Sequence, residues 1–342
     1  MAEQGNTTND SDLWNESNLN TDWWYIPVLS LNFSVGFLGI ISNVLLLHVV
    51  NQISSKAVAD SFHLQRLLAV GDLIFCFSPV LANPLRIYWV FNRSYKDEIS
   101  HLCCLLYPWF YCSNVGFIWP SILTLAIALE RFVASVFPIW YRNNWTLRVQ
   151  RPFLRCIYIL VAMLLLPGWI LALISYWKGL TTQRQGSYVR CTQVYGNGLN
   201  MFQGALGAST GVLGAVLTVV ALAIGTHQRT KLRLTGNLAF ARIQHRMERT
   251  VASIVLCSII LVATPSTIQL LDATNFAPMA FGLAFLRRYF VFLLLTNSAV
   301  NFYLLLLFNS QFREQADLHL WKPLQALLRR QAVAPVHPIS NA

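Results

Sequence analysis

The sequence predicts an all-α membrane protein, a bundle of seven transmembrane helices with a short amphipathic eighth helix. Of 342 residues, 55% are hydrophobic and only 11% are charged, and the mean hydropathy is +0.49. A soluble domain carries about 25% charged residues. Apolar runs recur along the chain, each long enough to cross the ~30 Å hydrocarbon core as a helix. Alternation with period two is absent, which disfavours a transmembrane barrel.

The apolar runs divide the chain into four parts. A tail of residues 1–25 precedes a transmembrane domain of residues 26–308, and an amphipathic helix of residues 309–322 precedes a tail of residues 323–342. The seven predicted spans are residues 26–50, 62–88, 102–137, 152–177, 199–226, 250–271 and 286–308. The third span is long, so its ends are expected to project from the membrane.

Charge predicts the orientation. The first 25 residues contain five acids and no Lys or Arg, whereas the segment after span five is rich in Arg and Lys. Positive charge stays cytoplasmic, so we expect a multi-pass protein of the plasma membrane with its N-terminus outside. The net charge of +11 then indicates contact with anionic lipid heads and not with nucleic acid. Sequons on the predicted outer face are expected to be glycosylated at Asn6, Asn9, Asn15 and Asn92.

Polar residues inside the predicted spans are the first functional candidates, because a charge at bilayer depth is costly. Asp72 lies in span two and has no neutralising neighbour in sequence, so its partners must come from other helices. Span seven offers Asn297, Ser298 and Asn301 close to one helical face, and span one offers Asn43. The alternative is a structural network of hydrogen bonds that only holds helices together.

Span three ends in "LERFVASVFPIWY", where Glu130 and Arg131 stand side by side at the predicted cytoplasmic mouth. As plain interfacial anchors, their apolar stems would lie along the lipid with the charges in water. The segment also resembles the end of the third helix of rhodopsin-like G-protein-coupled receptors, which has an acid, an arginine and an aromatic, then a proline and a tyrosine. Here these are Glu130, Arg131, Phe132, Pro138 and Tyr141.

Three further segments are similar to motifs of the same receptor family. They are "ISNV" in span one, "LLAVGD" in span two, and "NSAVNFYLLLLFNSQFRE" at the end of span seven, where Asn301 is the motif asparagine and Phe302 replaces its proline. The resemblance covers residues 26 to about 320. The Glu-Arg-Phe sequence and a divergent sixth helix resemble nematode chemosensory receptors in particular.

The resemblance implies roles for the cytoplasmic residues. Glu130 would hold Arg131 at rest and release it to a heterotrimeric G protein, Ile139 would insert into that partner, and Pro265 would be the hinge of the sixth helix. The sequence departs from the family at Ala263, where a tryptophan is usual, and span five lacks the usual proline and tyrosine. Small residues take their place and suit close helix packing: Gly204, Gly207, Ala208, Gly211, Gly214 and Ala215.

The resemblance also implies features of the outer half. A disulfide would join Cys191 to Cys104, with Cys103 as the alternative partner, or all three would remain free thiols. No cofactor is predicted, and an allosteric sodium ion at Asp72 is left open. Pro120 stands where the family often has a serine beside that aspartate, which weakens the sodium site.

The implied ligand pocket opens outward and would take a peptide or an acidic small molecule. Arginines suit carboxylates and phosphates, although Arg, Trp and Tyr are also common membrane-edge anchors. Ser113 stands where amine receptors carry an aspartate, and span seven has no lysine that could bind retinal as a Schiff base. The pocket residues are Arg86, Trp89, Trp109, Ser113, Asn114, Phe117, Arg287 and Arg288.

The predicted function is therefore that of a receptor, whose partners are an extracellular ligand, a G protein and membrane lipid. A decoy or trafficking receptor of the same fold is the first alternative, and a transporter the second, although paired broken helices are not visible. The scattered histidines disfavour an enzyme.

After span seven, Phe312, Ala316, Leu320 and Leu324 recur every four residues, which predicts an amphipathic helix. Its apolar stripe is expected to face the membrane. Pro323 is expected to end the ordered part of this helix.

Overall fold

A computed structural model of the chain describes the helices and three strands but not every connection between them. The described residues are 25–53, 62–92, 98–100, 106–137, 140–141, 144, 147–178, 181–185, 188–189, 196–234, 253, 256–273, 289–323 and 325.

Helices follow one another in the predicted order, one for each of the seven predicted spans and one for the short helix after them. They are α1 Tyr25–Asn51, α2 His63–Phe91, α3 Pro108–Val136, α4 Leu147–Trp177, α5 Gly196–Leu234, α6 Thr264–Ala273, α7 Phe290–Phe308 and α8 Ser310–Ala316. Among the described residues, α1, α2, α3, α5 and α7 are long and apolar enough to cross a membrane, while shorter apolar segments lie at Leu154–Met163 and Leu256–Leu271. These fall in the fourth and sixth predicted spans. The helical membrane fold is confirmed.

Three short strands form a small antiparallel sheet that the sequence did not predict. They are β1 Glu98–Ser100, β2 Thr181–Gln185 and β3 Tyr188–Val189. β1 follows α2 and pairs with β2, which follows α4, and β3 pairs with the other edge of β2. Two interhelical segments are thus joined at the end of the bundle where α2 ends and α3 begins. Pairing satisfies backbone groups that no helix serves there.

Glycines allow α2 and α3 to approach closely. A Cβ atom on Gly116 would lie 2.5 Å from the backbone nitrogen of Phe75, and one on Gly71 would meet the Trp119 ring. The Trp119 indole fills the space over Gly71 and donates from Nε1 to the Leu67 carbonyl at 3.1 Å. Side chains larger than hydrogen at these two positions would push the helices apart.

The glycines of α5 lie close to α6 and to the turn before it, whereas the sequence predicted close packing for them without a partner helix. A Cβ on Gly211 would lie 2.6 Å from that of Ala263, which stands where the receptor family usually has tryptophan. The facing pairs along the seam are Gly204 with Leu270, Gly207 with Ser266, and Gly211 with Ala263. The two backbones therefore approach closely, and this contact takes the place of the bulky side chains that the receptor family usually has on both helices.

A π-helical turn, Ile259–Ala263, precedes α6 and ends two residues before Pro265. The Thr264 side chain reinforces this turn, since its hydroxyl donates to the Ile259 carbonyl, five residues back, at 3.0 Å. A proline ring clashes with the carbonyl four residues earlier in a regular helix, and the wider turn accommodates it. The irregular backbone at this point agrees with the predicted hinge position.

Helix α8 begins at a side-chain cap and packs on the bundle. The Asn309 Oδ1 accepts from the Phe312 backbone nitrogen at 3.0 Å. The Phe312 ring is fully buried, with centroids 6.1 Å from the Phe62 ring and 5.9 Å from the Phe302 ring. Ala316 is fully buried beside it.

The expectation that the α8 stripe faces the membrane was wrong for Phe312 and Ala316, which contact α1, α2 and α7 instead. The reason is Phe302, which replaces the motif proline and gives α8 an aromatic surface to pack on. Leu320 packs against the same cluster, and Leu324 lies outside the described residues. The polar side of α8 is exposed as predicted. A second π-helical turn, Asp317–Trp321, follows α8 and ends two residues before the next proline.

The glycine contacts give a stability prediction with a matched control. Gly116→Ala should lower the melting temperature of the purified protein in detergent, because overpacking against the Phe75 backbone costs about 1–3 kcal/mol. Gly214→Ala should be neutral or stabilising, because its Cβ would lie 3.8 Å from Ala128 and alanine is favoured over glycine within helices by about 0.5–1 kcal/mol. Equal melting temperatures for the two variants would contradict the packing described.

Candidate functional site

Asp72 is the centre of a buried polar core that links α2 to α7. The residue is 2% exposed. The Ser298 hydroxyl donates to its Oδ1 at 2.7 Å, and the Asn301 amide donates to its Oδ2 at 2.9 Å. Two of the three predicted α7 residues, Ser298 and Asn301, thus bond this carboxylate, whereas Asn297 pairs with Ser258.

Asn43 joins α1 to the same core. Its Nδ2 donates to the Gly39 carbonyl at 2.8 Å and to the Ser298 carbonyl at 3.3 Å. Both contacts are to backbone oxygens, so this side chain fits the structural alternative, in which hydrogen bonds hold helices together.

A cavity of about 40 Å³ lies beside Asp72 and reaches across to α5 and to the π-helical turn before α6. It has room for a small number of waters, since each water molecule needs about 10–15 Å³ of such space. Asn297 borders it and accepts from the Ser258 hydroxyl at 3.5 Å. The polar residues that line it are Asp72, Ser121, Thr124, Thr210, Ser258, Asn297 and Ser298.

The cavity suits a hard monovalent cation better than a transition metal. Its oxygens come from one carboxylate, several hydroxyls and an amide, which are the donors that such ions prefer. Within the described residues, no cluster of three or more His, Cys, Asp or Glu could hold a metal ion. Pro120 lines the wall, as its place in the sequence predicted, and the neighbouring Ser121 brings a hydroxyl to the same wall.

The end of α3 carries the predicted coupling residues, and we call this part of the bundle the Glu130 end. Glu130 is 3% exposed, and its Oε1 accepts from the Tyr141 hydroxyl at 2.6 Å. Burial and the nearby Glu130 carboxylate raise the pKa of Tyr141 above its usual value, so the phenol remains a donor at neutral pH. The sequence placed Tyr141 in register with the family motif but did not identify it as the partner of Glu130.

Arg131 and Phe132 follow on the last turn of α3, and both are partly exposed. The Arg131 Nε is buried and has no hydrogen-bond partner within the described part of the chain. Pro138 and Ile139 lie outside the described residues.

The opposite end of the bundle carries three aromatic rings, and we call it the tryptophan end. The Tyr107 and Trp109 rings are stacked, with centroids 4.2 Å apart, and the Trp89 ring lies 6.2 Å from the first and 6.4 Å from the second. Arg86, one turn before Trp89 in α2, donates from Nη1 to the Asn83 Oδ1 at 3.3 Å.

A pair of hydrogen-bonded amides, Asn114 buried and Gln203 partly exposed, lies between α3 and α5. Gln203 donates from Nε2 to the Asn114 Oδ1 at 2.9 Å, and Asn114 donates to the Phe110 carbonyl at 2.8 Å. Phe117, one turn along α3, is buried, and Ser113 is partly exposed. The sequence named Asn114 as a pocket residue but missed Gln203, because nothing in an amphipathic pattern tells which residue of α5 faces α3.

Several predicted residues lie outside the described ones, so the structure gives them no position. They are Arg287 and Arg288 of the pocket, Cys104 and Cys191 of the disulfide with the alternative Cys103, and the sequons at Asn6, Asn9 and Asn15. The fourth sequon residue, Asn92, is exposed directly after α2.

The helix order, the α2–α7 polar core and the acid–arginine pair at the end of α3 together define a multi-pass membrane receptor of the seven-helix class. A family model described as serpentine type 7TM GPCR chemoreceptor Srsx matches residues 36–320. The chain therefore belongs to this nematode-type chemoreceptor family, and the resemblance seen in the sequence is confirmed. No curated protein matches the chain.

The contact between Glu130 and Tyr141 gives a second stability prediction. Tyr141→Phe should lower the free energy of unfolding by about 1–3 kcal/mol, because a buried carboxylate loses one hydrogen-bond donor. Tyr303→Phe is the control, since Tyr303 is 52% exposed. The raised pKa also means that the contribution of Tyr141 is kept below about pH 10 and falls as the pH rises further, a fall that the phenylalanine variant should lack. Denaturant titrations of the two variants that gave equal midpoints would contradict the role of this contact.

Proposed function

We propose that the chain is a chemosensory receptor that binds an extracellular ligand at the tryptophan end and activates a heterotrimeric G protein at the Glu130 end. The observation that carries the proposal is the arrangement at the end of α3. The Tyr141 hydroxyl donates to Glu130, while the Nε of the neighbouring Arg131 has no hydrogen-bond partner among the described residues. Arg131 is also partly exposed, so its guanidinium can donate to a docking partner.

The charge of the chain supports this orientation. The acidic, sequon-bearing N-terminal tail would be extracellular, and the basic segment after α5 would be cytoplasmic. The Glu130 end then faces the cytoplasm, where a G protein can reach Arg131, and the tryptophan end faces the exterior of the cell. This topology corresponds to a receptor of the plasma membrane.

The ligand would be a peptide or an acidic small molecule, bound among the aromatic and amide residues of the tryptophan end. Support comes from the Arg86 guanidinium, the three rings and the hydrogen-bonded Asn114–Gln203 pair. A peptide and a small acid share the carboxylate that a guanidinium recognises.

A decoy receptor that keeps the fold without coupling is the second candidate. The close contact of Gly211 with Ala263 favours it, because the usual tryptophan is missing at that position. An assay of G-protein activation distinguishes the two, since a decoy would bind ligand and activate nothing.

Arg131→Ala should abolish G-protein activation in cells and leave surface expression largely unchanged, because the guanidinium is the proposed contact with the partner. Arg155→Ala, which removes an exposed arginine of α4, is the control and should signal like the wild type. The measurement is nucleotide exchange on the G protein. It is made without added ligand, as basal activity, and after mixtures of candidate chemical stimuli are added. An Arg131→Ala receptor that signals at the wild-type level would show that coupling uses other residues.

We also propose that the cavity beside Asp72 binds a sodium ion. Asp72, Ser298 and Asn297 provide a carboxylate, a hydroxyl and an amide oxygen around a space of suitable size, and Asn301 holds the carboxylate in place. Sodium would then stabilise the arrangement in which α2 and α7 are joined.

Sodium chloride should raise the melting temperature of the purified receptor more than potassium or choline chloride at equal ionic strength. The reason is that an ion bound only by the folded state stabilises that state. Asp72→Asn should remove this selectivity, whereas Asn43→Ala should keep it, because Asn43 contacts only backbone oxygens in the described structure. Identical melting curves in sodium and potassium for the wild type would rule the sodium site out.

A further inference from the structure

The Arg86 guanidinium is held in place by a buried side chain. Asn83 is 1% exposed, and its Nδ2 donates to the Leu29 carbonyl of α1 at 3.0 Å. That bond points the Asn83 Oδ1 toward Arg86, whose Nη1 donates to it at 3.3 Å. One end of the guanidinium is therefore fixed by a residue that is itself anchored to another helix.

The three rings of the tryptophan end form a corner and not a single stack. The Tyr107 and Trp109 rings are nearly parallel, at 14°, whereas the Trp89 ring is inclined by 56° and 61° to them. Trp109 is also fixed through its backbone, since its carbonyl accepts from the buried Ser78 hydroxyl at 3.0 Å. Trp89 and Tyr107 are partly exposed, so a planar group can reach the corner.

Arg86 and Trp89 are three residues apart in α2, so their side chains are neighbours on one face of the helix. The positive charge of Arg86 is thus held one helical turn away from Trp89, which is one of the three rings of the corner. Aromatic walls alone would also suit an organic cation, but the charge of Arg86 repels one. The combination selects an anion that carries a flat apolar group.

We infer that Arg86 and the aromatic corner of Trp89, Tyr107 and Trp109 form a subsite for a carboxylate that bears an aromatic ring. The carboxylate pairs with the guanidinium, and the ring lies against the corner. Asn83 is a positioning residue, which orients Arg86 without touching the ligand. The subsite deepens the proposed function, because it would be part of the ligand pocket of the receptor. An aryl-substituted small acid and a peptide that ends in an aromatic residue both have this chemistry.

The test is equilibrium binding to the full-length receptor in phosphatidylcholine nanodiscs, without a G protein. The probes are phenylacetate, its amide phenylacetamide, its saturated analogue cyclohexylacetate, and N-acetylphenylalanine as a mimic of a peptide C-terminus. Phenylacetate should bind at least about 10-fold more tightly than the amide, because a charge-assisted contact contributes about 1.5–3 kcal/mol. It should also bind more tightly than cyclohexylacetate. Tighter binding of N-acetylphenylalanine than of phenylacetate would favour the peptide as the source.

Variants assign each preference to a residue. Arg86→Gln should remove the preference for acid over amide, and Trp89→Leu should remove the preference for the aryl ring over the saturated one. Asn83→Ala should reduce the acid-over-amide ratio several-fold while phenylacetamide binds as before, whereas a merely loosened fold would weaken all probes alike. Arg155→Gln, at an exposed site on α4, should leave every ratio unchanged. Melting temperatures of all variants show whether each is folded.

Equal binding of phenylacetate and phenylacetamide to the wild type, or no saturable binding of either aryl acid, would overturn the subsite. So would an Arg86→Gln receptor that is folded and keeps the acid-over-amide preference. If the receptor binds the probes with the expected preferences but activates no G protein, the proposed coupling is wrong and the subsite is supported. The two failures are therefore distinguishable.

Discussion

The buried Asp72 carboxylate is the constraint on which much of the bundle depends. An aspartate at the centre of a membrane helix costs about 2.5–3.5 kcal/mol on insertion scales, so it persists only where other helices bring donors to it. The Ser298 and Asn301 side chains do this, which fixes the rotation of α7 toward α2. Asn43 then ties α1 to the Ser298 carbonyl. Asp72 also lines the small cavity that extends toward α5 and the π-helical turn before α6.

On the other side of this cavity, the described contact between α5 and α6 depends on the close fit of small residues. Small residues of α5 meet Ala263 and its neighbours on α6 at close backbone distance, and a π-helical turn admits Pro265. This seam replaces the bulky side chains that receptors of this type usually place there. The contact between α5 and α6 is therefore close-packed and lies beside an irregular turn.

The sequence predicted the parts of this architecture that depend on composition and on costly residues. Apolar runs predicted the helices, and the expense of burying Asp72 predicted that span seven supplies its partners. The predicted facing direction of α8 was wrong, because an apolar stripe suits lipid and protein equally. The rings of Phe62 and Phe302 against which it packs come together in the folded chain. The Tyr141 partner of Glu130 was missed because it depends on the path of the chain after α3. The strands were missed because short polar segments have weak periodicity, and pairing between β1 and β2 is non-local.

The central claim, that the Asp72 carboxylate joins α2 to α7, is tested most directly by a double-mutant cycle on unfolding free energy. The cycle combines Asp72→Asn with Ser298→Ala and uses the purified receptor without ligand. If the 2.7 Å contact between these side chains holds the helices together, the double variant should depart from additivity by about 0.5–3 kcal/mol. Additive effects, within the few tenths of a kcal/mol expected for independent sites, would contradict the account.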